Sequence, residues 1–322
     1  MTLNFDTTPQ GMNDDDRLRH RVRELIAGQR LSLASISKRA NIAQSTLHAW
    51  MTDSYRGDVG KVSDRVRLWL DAQEALSSAS RFASASVPFA ETPTARMILD
   101  VFEYAQSTAD VGVVVGAAGL GKTMAASHYA RTRPSVWHLT VDPSLRRAYG
   151  MLSYIADALG VTETRTDRIS RAISARLIGS EGLLIIDEAQ HLTTDGMDQL
   201  RSLHDRAQIG LVIMGNQGVW TRLDGGGRKA QFAQLFSRVG MRLTRDKSST
   251  ADIEAILDAA GIEEADQRKM LRVIAGKPGA LRGMIKTLRL ARMVTMAAGE
   301  DLSVTAISAA FGRLTGGGEV SP

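Results

Sequence analysis

The sequence predicts an α/β fold, a doubly wound parallel sheet with helical domains before and after it in the chain. Three apolar runs predict the sheet. A β-branched run at 111–115 leads into a glycine-rich turn and a helix, a second run at 183–186 ends in two carboxylates, and a third at 211–214 is followed by Gly215 and Asn216. Segments of helical spacing separate the runs, and strands that alternate with helices pair in parallel and bind ligands at their carboxyl ends.

The composition excludes several classes of protein. The chain has 322 residues, enough for two or three domains of about 150 residues each. It contains no cysteine, which excludes disulfides and thiol chemistry, and its six histidines show no metal-ligand spacing. Because the sequence has no apolar run of about 18 residues and no signal-peptide pattern, we expect a cytoplasmic protein without a membrane partner.

The glycine-rich turn after the first run has the complete pattern G-x-x-x-x-G-K-T, from Gly116 to Thr123. Glycines let successive backbone N–H groups point inward at a helix N-terminus and surround phosphate oxygens. Lys122 can then reach the β- and γ-phosphates, and the Thr123 hydroxyl can bind Mg²⁺. The residues predicted to bind the nucleotide here are Gly116, Gly119, Gly121, Lys122, Thr123 and Met124. The motif therefore predicts a site for ATP and Mg²⁺.

Polar residues at the ends of the other two runs predict the hydrolytic groups. Asp187 follows a four-residue apolar strand and can hold Mg²⁺ through water, while Glu188 can polarise the attacking water. Asn216, at the end of the third run, can sense the γ-phosphate or orient that water. Alternatively, Asn216 only begins a turn.

Four further residues are weaker candidates for this site. Phe89 and Thr92 precede the first strand and could contact the adenine, or they could only cap the helix that follows. Arg238, before the last strand, could act as an arginine finger on a neighbouring subunit's ATP, or it could cap a helix as a surface residue. Arg282 lies in the first turn of a C-terminal helix and could reach the γ-phosphate.

The N-terminal segment predicts a DNA-binding domain. Residues 17–76 carry eleven basic and six acidic side chains, a net charge of +5. Within them, helical spacing around Leu33–Ala40, a turn at 41–43 and a second helix at 44–51 match a helix-turn-helix. A helical bundle that binds protein or no partner is the alternative. The residues predicted to contact DNA here are Lys38, Arg39, Gln44, Ser45, Thr46, His48, Arg56 and Lys61.

A second basic segment surrounds the glycines at 225–227. Its Arg222, Arg228 and Lys229 could touch DNA or a neighbouring subunit. The whole chain then divides by composition and periodicity into five parts. These are a disordered tail (1–16), the helix-turn-helix domain (17–76), a flexible Ser/Ala-rich linker (77–88), an ATPase core (89–246) and an all-α lid (247–316).

Several of these segments together resemble a known family. The phosphate loop, LLIIDEA, IGLVIMGN, QLFSR and KPGALR resemble an AAA+ P-loop ATPase. With the N-terminal helix-turn-helix and RFASASVPFAET, the chain is similar to the phage Mu B type of transposition activator. The resemblance implies an ATP-bound helical homo-oligomer on double-stranded DNA, recruitment of a transposase, and hydrolysis stimulated by DNA or transposase. It also implies that Arg238 is the arginine finger and Arg282 the lid sensor. The protein would then act in the cytoplasm of a bacterial host.

Two other functions fit the same motifs. A helicase loader is another AAA+ ATPase that acts on DNA, and it would bind a helicase and prefer single strands. A transcription regulator switched by ATP would prefer an operator sequence and hydrolyse little ATP. The residues at 44–48 offer little bidentate base readout, which argues against the regulator.

Overall fold

The computed structural model describes residues 13–28, 31–83, 87–219 and 238–317, with the backbone alone for 75–83. The chain divides into two compact units, Met1–Ala85 and Ser86–Pro322. Within the described residues, no helix is long and apolar enough to cross a membrane.

The first unit is helical. Its helices are α1 (Asp14–Ala27), α2 (Leu33–Ala40), α3 (Gln44–Met51) and α4 (Val59–Ala83). Ile36 of α2 and Leu47 and Trp50 of α3 are fully buried together. Asn41, in the left-handed conformation at φ 52°, ends α2 and turns the chain toward α3 within three residues.

Helix α1 begins inside the predicted disordered tail. Asn13 caps it by accepting a hydrogen bond from the Asp16 N–H at 2.8 Å. The three aspartates that follow form the first turn, where negative charge is favourable next to the helix dipole. The acidic cluster is therefore a helix start, and the prediction of disorder was wrong for residues 13–16; residues 1–12 lie outside the described residues.

Helix α4 extends into the predicted linker. Its backbone continues through the first seven residues of the linker predicted at 77–88. Alanine is the strongest helix former, and neither glycine nor proline occurs between Gly60 and Pro88, so a composition that suits a tether also continues a helix.

The second unit contains a five-stranded sheet among its described residues. The strands are β1 (Val111–Gly116), β2 (Val136–Thr140), β3 (Leu183–Asp187), β4 (Gly210–Gly215) and β5 (Val239–Arg245). All neighbours are parallel, in the order β2-β3-β4-β1-β5. Every residue of β1, β3 and β4 is buried, as expected for central strands covered on both faces. The doubly wound parallel sheet is confirmed.

Helices cover both faces of the sheet. They are α5 (Pro93–Thr108), α6 (Lys122–Thr132), α7 (Ala148–Leu159), α8 (Ile169–Leu177) and α9 (Thr194–Ala207). Four more helices follow β5 and enclose a separate apolar core. These lid helices are α10 (Thr250–Ala259), α11 (Ala265–Ala275), α12 (Ala280–Ala298) and α13 (Val304–Thr315).

One buried carboxylate joins the lid to the sheet domain. Asp252 of α10 has no solvent exposure. It accepts hydrogen bonds from the N–H and hydroxyl of Thr94, at 2.8 and 2.7 Å, and from the N–H and hydroxyl of Ser249, at 2.7 and 2.8 Å. The first turn of α5 and the first turn of α10 are therefore bound to the same side chain.

Candidate active site

The phosphate loop connects the central strand β1 to α6. Gly119 and Gly121 adopt left-handed backbone conformations, with φ of 89° and 90°. The Lys122 ammonium donates to the carbonyls of Gly116, at 2.7 Å, and Ala117, at 2.9 Å. The loop thus surrounds its own lysine at the N-terminus of α6, in the arrangement that binds phosphates.

Two of the loop glycines leave room for other backbone segments. A Cβ on Gly116 would overlap the carbonyl oxygen of Arg245, at the end of β5. A Cβ on Gly119 would lie 2.6 Å from the carbonyl oxygen of Gly279, at the start of α12. The lid therefore contacts the phosphate loop directly, through backbone against backbone.

The predicted Mg²⁺ residues come together across the sheet edge. The Thr123 hydroxyl donates to Asp187 Oδ2 at 2.6 Å, although the two residues are 64 positions apart in the chain. Burial alone would raise the pKa of Asp187, but His138, the Thr123 hydroxyl and the Glu188 N–H outweigh it and lower the pKa below its usual value. A buried, ionised carboxylate beside a hydroxyl fits a hard cation that also binds phosphate oxygens.

His138 of β2 is a further polar side chain beside Asp187, and it could not be identified from the sequence. Its Nε2 lies 3.7 Å from Asp187 Oδ2, and its Nδ1 lies 3.3 Å from the Ser127 hydroxyl of α6. Nothing in its local sequence marks it, because its position follows from the parallel pairing of β2 with β3. The imidazole thus lies beside the carboxylate that the sequence predicts to hold Mg²⁺.

The electrostatics of Lys122 favour a polyanion. Burial lowers the pKa of the Lys122 ammonium; Asp187 and Glu188 oppose that shift, and Arg282 lowers the pKa further. Arg282, exposed in the first turn of α12, is therefore close enough to interact electrostatically with the phosphate-loop lysine. Phosphate groups bound beside Lys122 would favour the charged form of its ammonium.

A glutamine connects the predicted base to the predicted sensor. The Gln190 amide nitrogen donates to Glu188 Oε2, and its amide oxygen accepts from the Asn216 N–H at 3.3 Å. The Asn216 side chain accepts from the Gly218 N–H at 2.9 Å, as it would in the turn-forming alternative. Gln190 could not be identified from the sequence, because it has no motif signal of its own.

Phe89 and Thr92 have protein partners in the structure. The Phe89 ring stacks on His128 of α6, with centroids 4.0 Å apart and planes 13° from parallel. The Thr92 hydroxyl accepts from the Ala95 N–H at 3.0 Å and caps α5. The capping alternative thus describes Thr92, and base contact stays a prediction for both residues.

Arg238 lies at the amino ends of the strands, whereas the phosphate loop lies at their carboxyl ends. The register of β5 pairs Val239 with the start of β1 and Arg245 with its end. The Arg238 guanidinium forms a two-point ion pair with Asp205 of α9, at 2.7 and 3.0 Å, and this contact lowers the pKa of the Asp205 carboxyl. The side chain nevertheless stays 41% exposed.

The predicted DNA-binding residues of the first unit are at the surface. Those that are exposed are Lys38, Arg39, Gln44, Ser45, His48, Arg56 and Lys61. Thr46 is half-buried and, with Lys61 and Arg65, lines a depression of about 340 Å³ beside the turn before α3. Arg222, Arg228 and Lys229 lie outside the described residues.

Comparison with known proteins agrees with this architecture. Residues 105–223 match the family described as AAA domain, and residues 237–314 match Mu B transposition protein, C terminal. The solved structures similar to this chain include the ORC2 protein of Aeropyrum pernix in ADPNP–ADP complexes (18% identity, TM-score 0.52, 68% of this chain and 65% of that one). They also include the ORC1 protein of the same organism in complex with DNA (18%, TM-score 0.52, 71% and 67%). At such identities the likeness shows the fold alone.

The curated relatives cover almost the whole chain. ATP-dependent target DNA activator B of Escherichia phage Mu is 36% identical over 94% of this chain and 96% of its own length. The protein of the same name from Escherichia phage D108 is 35% identical over the same shares. Mu-like prophage FluMu DNA transposition protein B of Haemophilus influenzae is 32% identical over 83% of this chain and 94% of its own. The chain therefore belongs to the Mu B transposition protein family and is an AAA+ ATPase.

Proposed function

We propose that this chain is an ATP-dependent activator of target DNA in transposition. It binds double-stranded DNA with little sequence preference, assembles on it as a helical homo-oligomer when ATP is bound, and recruits and activates a transposase. The observation that carries the proposal is the near-full-length similarity to two proteins named ATP-dependent target DNA activator B. That similarity favours a transposase over a helicase as the partner.

The residues at the sheet edge divide the nucleotide chemistry among them. Lys122 and the loop N–H groups bind the β- and γ-phosphates. Thr123 and Asp187 would hold Mg²⁺, which when bound neutralises charge on the phosphoryl oxygens. Glu188 polarises the attacking water, and Asn216 senses the γ-phosphate from the end of the neighbouring strand. The 2.6 Å contact between Thr123 and Asp187 supports this division because it brings both metal-binding groups to one point.

The assignment of Arg238 as a finger in trans is supported by its place in the fold. The residue lies at the amino end of β5, away from its own phosphate loop, and its guanidinium is partly exposed. In the single chain it is held by Asp205, and in an assembly the γ-phosphate of a neighbour would compete for it. Arg282 would act in cis, from the lid helix that contacts the phosphate loop.

The experiment compares the wild type with Lys122→Ala for ATP turnover, DNA affinity and filament formation in electron micrographs. For the wild type, we expect ATP and duplex DNA together to give filaments and faster turnover. Because the contacts go to phosphates, DNA affinity should fall on the order of a thousand-fold from 50 to 200 mM salt for six or more contacts. Lys122→Ala should abolish turnover and filaments, since it removes the charge that binds the phosphates.

The matched control is Lys286→Ala, which removes an exposed lysine of α12 and should behave as the wild type. Full turnover by dilute protein without DNA would contradict the proposed assembly. A flat salt response would contradict nonspecific phosphate binding. Pull-down with a helicase in place of a transposase would favour the loader.

A further inference from the structure

Gln190 lies between the carboxyl ends of β3 and β4, which carry two residues of the proposed hydrolytic site. Glu188 follows β3, and Asn216 follows β4, the next strand in the sheet. The Gln190 side chain spans the two by donating to the Glu188 carboxylate and accepting from the Asn216 backbone N–H. One amide therefore joins the residue that polarises water to the strand end that carries the γ-phosphate sensor.

The surrounding backbone is shaped to admit this side chain. A Cβ on Gly215, the last residue of β4, would overlap the Gln190 amide oxygen. Glu188 itself has a left-handed backbone at φ 55°, which is uncommon for a residue other than glycine and persists only where the surroundings impose it. Both ends of the Glu188 side chain are thus constrained, by the unusual backbone conformation and by the hydrogen bond from the Gln190 amide.

We propose that Gln190 is a positioning residue for hydrolysis, which fixes the Glu188 carboxylate relative to the strand end at Asn216. The inference rests on the proposed role of Glu188 as the water-polarising group. Gln190 contributes through geometry, because a displacement of about 1 Å in a reacting group can reduce a rate about a hundred-fold. A residue of this kind affects the chemical step and leaves the binding of ATP unchanged.

The test is steady-state hydrolysis by Gln190→Met, Gln190→Ala and Gln190→Glu in the full-length protein with ATP and duplex DNA. Methionine keeps the length of the side chain and removes both hydrogen bonds. Glutamate removes the donor and places a second carboxylate beside Glu188. We expect kcat to fall about tenfold or more in all three variants and most in Gln190→Glu, with KM and the nucleotide Kd within about twofold of the wild type.

Two controls separate the possible outcomes. Gln106→Met removes an amide that bonds the Pro134 and Glu181 carbonyls at the other end of the sheet, and it should leave kcat unchanged. If Glu188→Gln abolishes hydrolysis while Gln190→Met keeps wild-type kcat, the inference is overturned and the proposed function stands. If Glu188→Gln keeps full hydrolysis, the assigned role of Glu188 fails first. A loss of nucleotide affinity or of thermal stability that matches the loss of kcat would show that Gln190 is only structural.

Discussion

Gly119 is the residue at which the phosphate loop and the lid touch. We expect Gly119→Ala to lower the free energy of unfolding by about 2–4 kcal/mol, because alanine would adopt φ 89° and also place a Cβ 2.6 Å from the Gly279 carbonyl. The measurement is denaturant unfolding without nucleotide, so that binding does not contribute.

Gly121→Ala is the matched control for that change. Gly121 has nearly the same φ, 90°, but apart from its own chain neighbours and helix backbone no atom lies within 4 Å of the position of an added Cβ. It should lose only the conformational term, about 1 kcal/mol. Equal losses in the two variants would mean that the contact with the lid contributes nothing.

The functional roles of residues could be predicted from the sequence only where a local motif specifies them. The phosphate loop and the carboxylates at 187 and 188 each follow an apolar strand, and the order of residues alone places them at the sheet edge. Gln190 and His138 have no such signal, because their partners depend on which strands are neighbours. Strand order is a property of the folded sheet, and no spacing within the chain encodes it.

At the scale of elements, Asp252 connects α10 to α5. We expect Asp252→Ala to lower the free energy of unfolding by about 3 kcal/mol or more, because it leaves the buried N–H and hydroxyl of Thr94 without their acceptor. Asp266→Ala, in the exposed first turn of α11, is the control and should cost far less. Comparable losses in the two variants would contradict the connection.

The same carboxylate predicts a pH dependence. Burial alone would raise the pKa of Asp252, but hydrogen bonds from Thr94 and Ser249 outweigh it and lower the pKa below 3.8. A lowered folded-state pKa means that the stabilisation is complete above the unfolded value and is lost as the pH falls through the folded one. The stability difference between the wild type and Asp252→Ala should therefore be constant from neutral pH to about pH 5 and shrink below pH 4, as followed by denaturant unfolding at each pH.

The elements themselves were largely predictable, and their ends were less so. The all-α lid predicted over 247–316 contains the four observed lid helices, each of which begins after a polar or glycine residue. The start of α1 and the end of α4 were not found, because acidic and Ser/Ala-rich segments suit a helix terminus and a disordered chain equally well. The Asp252 connection could not be found either, since 158 residues separate its partners.

At the scale of the whole molecule, Arg238 predicts complementation between subunits. Arg238→Ala and Glu188→Gln should each be inactive alone. Mixed in equal amounts with ATP and DNA, they should recover about a quarter of wild-type turnover, because in a head-to-tail assembly about one interface in four pairs an intact site with an intact arginine. The measurement is the ATP turnover of the mixture against each variant alone.

Arg201→Ala is the control, since Arg201 also binds Asp205, at 2.9 Å, but is not assigned to a neighbour's site. It should keep turnover within about twofold of the wild type. Failure of the mixture to recover, with both variants folded and bound to DNA, would show that Arg238 does not act in trans.

Strand β5 connects Arg238 to the phosphate loop and to the lid. Arg238 lies immediately before it, and the strand pairs with β1 with one register shift near its start, at Gly240. At its far end the Arg245 carbonyl accepts from the Ala117 N–H of the phosphate loop at 3.2 Å. Four residues later the chain reaches Ser249, which caps the first lid helix. In the proposed assembly, a contact that a neighbouring subunit makes at Arg238 would therefore be connected, through about 23 Å of strand at about 3.3 Å per residue, to both the nucleotide pocket and the lid. A change at one subunit interface of the proposed assembly would in this way affect the nucleotide site that takes part in the next interface.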